Sequence, residues 1–220
     1  MLRQLPIAVA LALLAAGSAA AQTAPSFRGY TGLVIVPTAD VVAEREYNFG
    51  VMTEETDDFE ANDVFANYSP TSDLEIGINS FRGVGSRDRE AVINAKYRFL
   101  PETQDRAAVA LGLTDLTGEV KSTAYVVASM SVARGVSLFG SRITNIRGHL
   151  GVGGGRLDGL FGGLSLFVGN RVMFSAEWDS EDTHLGLKFM PVRGWRLHAA
   201  WIDVGDSADL GLGLSFSSSY

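Results

Sequence analysis

The chain has no cysteine, so no disulfide can hold its fold, and packing or backbone pairing must do so instead. It has only six prolines against 25 glycines, a balance that suits tightly packed strands and turns better than helices. Beyond the N-terminus no apolar run approaches the roughly 20 residues that a membrane helix needs. Basic residues are fewer than acidic ones, 18 against 25, for a formal net charge of −7, which excludes nucleic acid as a partner. The three histidines, His149, His184 and His198, form no H-x-x-x-H pair or other metal-ligand spacing. No metal and no cofactor are expected.

The N-terminus has the makings of a secretory signal. Arg3 precedes the apolar run Leu5–Ala16, followed by Gly17, Ser18 and the small residues Ala19-Ala20-Ala21. A charged start, a short apolar centre and an A-x-A site predict cleavage after Ala21. The expected organisation is a signal peptide over 1–21, an N-terminal segment over 22–45 and a single β domain over 46–220. Arg3 is the only charged residue before Gln22, so its removal takes the formal charge from −7 to −8.

What fills the rest is alternation. Tyr47, Phe49 and Val51 oppose Asn48, Gly50 and Met52. Leu74, Ile76 and Ile78 oppose Glu75, Gly77 and Asn79. Ala91, Ile93, Ala95, Tyr97 and Phe99 oppose Val92, Asn94, Lys96 and Arg98. Period two is the mark of a strand with one apolar face. The same pattern continues to the end and predicts about twelve strands. Turns are expected at Ser69–Asp73, Ala133–Gly135, Gly169–Asn170 and Pro191–Gly194. Longer connections are expected at Glu54–Ala61, Ser80–Arg89, Asp115–Val120 and Thr144–Asp158, with His149–Gly153 inside the last. Short and long connections in alternation, with an even strand number, predict an antiparallel up-and-down transmembrane β-barrel with short turns at one end and longer loops at the other. A soluble sandwich would alternate its faces as well, but has no reason to alternate its loop lengths.

In the strand Trp195–Ile202, Trp195, Leu197, Ala199 and Trp201 share a face. The two tryptophans stand roughly 20 Å apart at ~3.4 Å per residue, close to the ~25 Å height of a lipid band between aromatic girdles. Tyr97 and Trp178 take similar strand-end positions, so Tyr97, Trp178, Trp195, Trp201 and the terminal Tyr220 are the expected interface aromatics. The opposite parity carries Glu75, Lys96, Arg98, Glu177, Lys188, Arg196 and His198, predicted to line the lumen, because charge on the lipid face costs about 2–4 kcal/mol for Arg or Lys at the midplane. Leu33–Val36 is apolar on both parities, which suits either a strand buried on both faces or a segment inside a lumen. Ion pairs, or that segment, would then close the barrel.

The final strand, with Leu210, Leu212, Leu214 and Phe216 on one face and Tyr220 at the end, resembles the closing strand and insertion signal of outer-membrane barrels. That resemblance implies the barrel-assembly machinery, outer-membrane lipid and lipopolysaccharide as partners. Gly29-x-x-Gly32-Leu33-x-x-x-Pro37-Thr38-Ala39 resembles the N-terminal Gly-Leu…Pro-Thr-Ala motif of YjbH-type proteins, outer-membrane β-barrels associated with exopolysaccharide production. Gly151–Arg156 with Phe161-Gly162-Gly163-Leu164 resembles that family's glycine-rich strand–loop–strand. Ser175–Asp179 followed by Leu185-Gly186-Leu187 resembles its Ala-Glu-Tyr-Asp and Gly-Leu strands. The resemblance implies a short, single-barrel version located in the outer membrane, non-enzymatic, with polysaccharide as a partner, and with Gly32, Leu33, Pro37, Thr38 and Ala39 as its motif residues.

Three other functions fit the residues: a small channel for small solutes, a membrane-embedded enzyme acting on lipid or polysaccharide, and a soluble periplasmic β-barrel that binds a ligand. The enzyme would need a serine and a histidine in contact at one rim, and His184 with Ser180 is the nearest candidate in sequence. The acidic runs Glu54–Glu60 and Asp179–Asp182 read as solvated outer loops, with divalent-ion binding as the rarer use.

Overall fold

The computed structural model describes residues 23–56, 59–81, 90–119, 121–138, 141–205 and 209–218. The predicted cleavage site and Tyr220 lie outside them. Twelve strands form one closed sheet: β1 Tyr47–Thr56, β2 Phe59–Tyr68, β3 Leu74–Phe81, β4 Glu90–Leu100, β5 Ala108–Thr114, β6 Thr123–Leu138, β7 Ser141–Gly153, β8 Gly159–Val168, β9 Val172–Trp178, β10 Thr183–Val192, β11 Trp195–Ile202 and β12 Asp209–Ser217. Each strand pairs antiparallel with its chain neighbours, and β1 closes on β12 from Asn48↔Ser217 to Glu55↔Leu210. Closure leaves no sheet edge in need of a partner.

Parity sorts the two faces as the alternation predicts. Leu212, Phe174 and Leu197 are 51%, 48% and 48% exposed on the outside, while Lys96 and Glu177 are buried within. Tyr97, Trp178, Trp195 and Trp201 all point outward and are exposed. Aromatics are denser at the turn end, where Phe216 touches Trp195, Phe49 and Tyr47 with ring centroids 5.3, 5.6 and 6.3 Å away.

Three connections differ from the sequence expectation. Ala133–Gly135 is no turn but part of β6, which runs through to Leu138. Pairing slips between Ser131 and Ala133. Before the slip the buried residues are odd-numbered, Val127 and Ser129. After it, the residues opposite buried Asn145 and Ile143 are even-numbered, Arg134 and Val136. A bulge that flips the parity of a strand breaks the alternation as a turn would. For the same reason His149–Gly153 is not loop but the second half of β7, and the expected loop Thr144–Asp158 contracts to Gly154–Asp158. Glu54–Ala61 is mostly strand, because Glu54 turns inward to a cation instead of outward to water.

The core is inside the barrel. Phe27, Val34 and Ile35 pack with Met52, Phe65, Ala200 and Ile202. Val36 and Ala39 pack with Ala108, Ala110, Tyr125, Val127, Leu157 and Phe161, and Leu33 packs with Phe167 and Met173. Residues 23–42 therefore thread the lumen, and the expected N-terminal segment is its plug.

Candidate functional site

The plug contains no helix and no named strand. It folds on itself through Phe27 N–H to Val34 O at 2.7 Å, Ser26 N–H to Tyr30 O at 2.8 Å and Leu33 N–H to Val36 O at 2.8 Å. Gly32 bridges Pro37, and Pro25 bridges Thr31. These contacts explain the motif. A side chain on Gly32 would meet the Val36 carbonyl at 2.6 Å, so a glycine is needed where the turn closes. Within that turn three successive amides face one way. Glu177, buried on β9, accepts Val34 N–H at 2.8 Å on one oxygen, and Ile35 N–H at 2.5 Å and Val36 N–H at 3.1 Å on the other. Successive backbone N–H groups around one anion form a nest, a built receptor for negative charge.

A second carboxylate holds the other side. Glu75 on β3 accepts Thr31 N–H at 2.9 Å, Thr31 Oγ1–H at 2.5 Å and Val42 N–H at 2.9 Å. Lys96 on β4 lies 3.5 Å from Glu75 and donates to Thr31 O at 2.8 Å. Lys188 on β10 donates to Pro25 O at 2.6 Å and Gly32 O at 2.8 Å. Asn67 donates to Gly29 O at 2.5 Å, and Asn79 donates to Arg28 O. Ser129 accepts Ala39 N–H at 2.9 Å. The two carboxylate–lysine sets sit on β3–β4 and β9–β10, six strands apart in a ring of twelve, and therefore on opposite walls.

The walls also leave room. An added Cβ at Gly163 would meet Leu33 Cδ1 at 2.7 Å, at Gly186 it would meet Val34 Cγ2 at 2.7 Å, and at Gly211 it would meet Phe27 Cε1 at 2.6 Å. All three glycines face the plug.

Of the residues predicted to line the lumen, Glu75, Lys96, Glu177 and Lys188 grip the plug. Arg196 donates to Ser217 Oγ at 3.1 Å, and His198 Nε2 lies 2.7 Å from Ser215 Oγ, both along the inner wall. Arg98 departs from the expectation. It sits at the turn-end rim and pairs with Asp73 at 3.0 Å, because the adjacent turn offers a carboxylate and the Ser72 carbonyl.

Several working residues escaped the sequence reading. Arg147 pairs with Asp40 of the plug at 2.6 Å and with Glu102 at 2.7 Å. Burial pushes the Asp40 carboxyl up, but the Arg147 guanidinium overrides it and holds the group below its ordinary value. Arg28 pairs with Glu54 at 2.9 Å. The inward parity of Asn67, Asn79 and Glu54 was the available signal. Nothing in the spacing links Arg147 to Asp40.

Above the plug, at the loop end, a cavity of about 640 Å³ is lined by Arg28, Tyr30, Glu54, Arg156, Asp179 and Asp203 among others. Its rim loops meet at His184, whose Nε2 lies 3.2 Å from Asp179 Oδ2 and whose Nδ1 accepts Asp203 N–H at 3.1 Å. Burial pushes both carboxyls up. In Asp179 the bond to the His184 ring and backbone N–H groups win and hold it low, while in Asp203 burial prevails and the neighbouring acids add to it. Ser180, which lies near His184 in sequence, donates to Leu160 O at 2.5 Å. Among the described residues the serine–histidine contacts, His149 with Ser129 and Ser165 and His198 with Ser215, are buried inside the barrel and not at a rim.

No protein-family model matches the sequence, and no curated protein matches it. Among solved structures the chain is similar to a KdgM porin, at 8% identity over 80% of this chain and 99% of that one, with a TM-score of 0.51. It also overlaps a triple mutant of the Rhodopseudomonas blastica porin at 16% identity, over 71% of this chain and 55% of that one, with a TM-score of 0.35. The N-terminal β-barrel domain of Pseudomonas aeruginosa OprF overlaps at 10% identity, over 79% and 98%, with a TM-score of 0.27. With the KdgM porin the chain shares a fold, the closed antiparallel β-barrel.

Proposed function

We infer that this chain is an outer-membrane barrel of porin type whose passage is closed by its own residues 23–42 and opens when they leave. The apolar, aromatic-edged exterior calls for lipid around it, with lipopolysaccharide at the loop end and the barrel-assembly machinery acting on the closing strand. The porin fold supplies the passage. The observation that carries the gate is the Glu177 nest: one buried wall carboxylate holds three consecutive plug amides, a contact that exists only while the plug is seated. Nothing in this reading calls for catalysis.

The purified chain should need detergent and shift its gel mobility on heating. In planar bilayers the wild type should be mostly silent. Val34→Pro with Ile35→Pro removes two of the three donors and leaves the walls intact, and should conduct. A wild type that conducts steadily, or a double variant that stays silent although its plug has become accessible to a thiol reagent at Thr38→Cys, overturns the gate. The motif that resembles YjbH-type proteins builds this plug, so an exopolysaccharide role would run through the same segment. Secreted polysaccharide in cells carrying the double proline variant is its measurement.

A further inference from the structure

The geometry points to oligopeptides as the solute class of this lumen: the cradle that holds the plug binds peptide main chain, and, once vacated, takes the main chain of another peptide. This rests on the gated-passage reading above.

The support is the kind of atom that the walls touch. Glu177 takes only amide hydrogens, those of residues 34, 35 and 36. From the plug, Lys188 and Lys96 take carbonyl oxygens, those of residues 25, 32 and 31. Asn67 and Asn79 each give their amide to a plug carbonyl, and Ser129 accepts a plug amide. Glu75 adds one hydroxyl to its two amides. Among the described residues the ion pairs to plug side chains lie at its two ends, Arg28 with Glu54 and Asp40 with Arg147. Between those ends the polar recognition, Thr31 Oγ1 apart, is of N–H and C=O, which every peptide carries, while the side chains of Leu33, Val34 and Val36 add apolar packing on the walls.

The arrangement is also duplicated. Each of two opposite walls has a carboxylate for amide hydrogens and a lysine for carbonyl oxygens on the next strand. A chain lying between them meets acceptors and donors on both sides. An oligosaccharide offers hydroxyls to the same groups, but has no amide to fill the Glu177 site.

The test uses the full chain with Val34→Pro and Ile35→Pro in a planar bilayer, its folding checked by heat-shifted mobility. Gly211→Val, whose added side chain meets Phe27 of the plug first, serves as a second opener. Three probes are added: a capped peptide copying residues 29–39, an unrelated neutral Ala/Gly/Ser peptide of equal length, and a maltooligosaccharide of similar length. Both peptides should block the current and the sugar should not. Glu177→Gln with Lys188→Gln in the opened chain should weaken the peptide block by roughly tenfold or more, the loss expected for charge-assisted hydrogen bonds. Equal block by sugar, block by the plug copy alone, or block unmoved by the wall substitutions overturns the proposal and leaves the gate standing. Openers that fold, free the plug and still do not conduct overturn the gate, and this proposal falls with it.

Discussion

The β3–β4 wall and the β9–β10 wall hold one segment with the same two residue types, but under different electrostatic terms. Glu75 has a cation of its own, Lys96 at 3.5 Å, and both are 2% exposed. Among the described residues Glu177 has no cation within ion-pair distance. Its charge is met by the three amides of the plug. The first carboxylate belongs to the barrel whether or not the plug is seated. The second is complete only with the plug in place. Both walls grip the plug, but the first also carries an ion pair of its own, while the second carboxylate depends on the plug alone.

That contrast makes the largest expected effect one on the barrel, not the gate. Glu75→Gln leaves Lys96 buried beside a neutral group, and breaking a buried pair in this way costs about 3–5 kcal/mol. The urea midpoint of the barrel should fall, and Glu75→Leu with Lys96→Met should recover much of the loss. A double variant no better than the single one would show that the two do not act as a pair. Glu177→Gln should act on the plug instead. Losing charge-assisted bonds at about 1.5–3 kcal/mol each should raise thiol labelling at Thr38→Cys at least tenfold while the unfolding midpoint of the barrel moves less than in Glu75→Gln. Equal effects on both readouts in both variants would erase the distinction between the walls.

Gly211→Val adds bulk against the Phe27 ring of the plug and should cost about 1–3 kcal/mol of plug packing, read as labelling at Thr38→Cys without a change in barrel mobility on gels. The smallest effect is on the rim. The Asp179 carboxyl is held below its ordinary value, so its contribution to stability is complete above the unfolded value near 4 and is lost as pH falls through the lower folded value. Between pH 5 and pH 3 the wild type should lose slightly more stability than Asp179→Asn. Equal losses would remove the His184 contact from the account.

Most of the barrel was legible in the sequence, and the failures are physical. Alternation located β3, β4, β9, β11 and β12 because side chains of a strand must take opposite faces. It failed at Val132, where a bulge inverts parity without ending the strand, and at Glu54, where a carboxylate in an acidic run faces a plug arginine. The site was half legible. Glu75, Lys96, Glu177 and Lys188 were legible as inward charges because the loop lengths marked a membrane barrel and parity sets them opposite its lipid face. Their partners were not, since amides and carbonyls carry no residue identity. Leu33–Val36 stood out as apolar on both faces, and nothing in it specified that its amides would close on a residue 141 to 143 positions later.

By itself the amino-acid order determined about twelve strands, each with one greasy and one polar face, because a period of two depends only on neighbours along the chain. Only the tertiary structure decided that the inside is filled, and by what. Closing the sheet brings β3 and β9 to opposite walls at a distance that one doubled-back segment can bridge, and buried carboxylates in that space must find donors. The nearest donors are the backbone of residues 31–42.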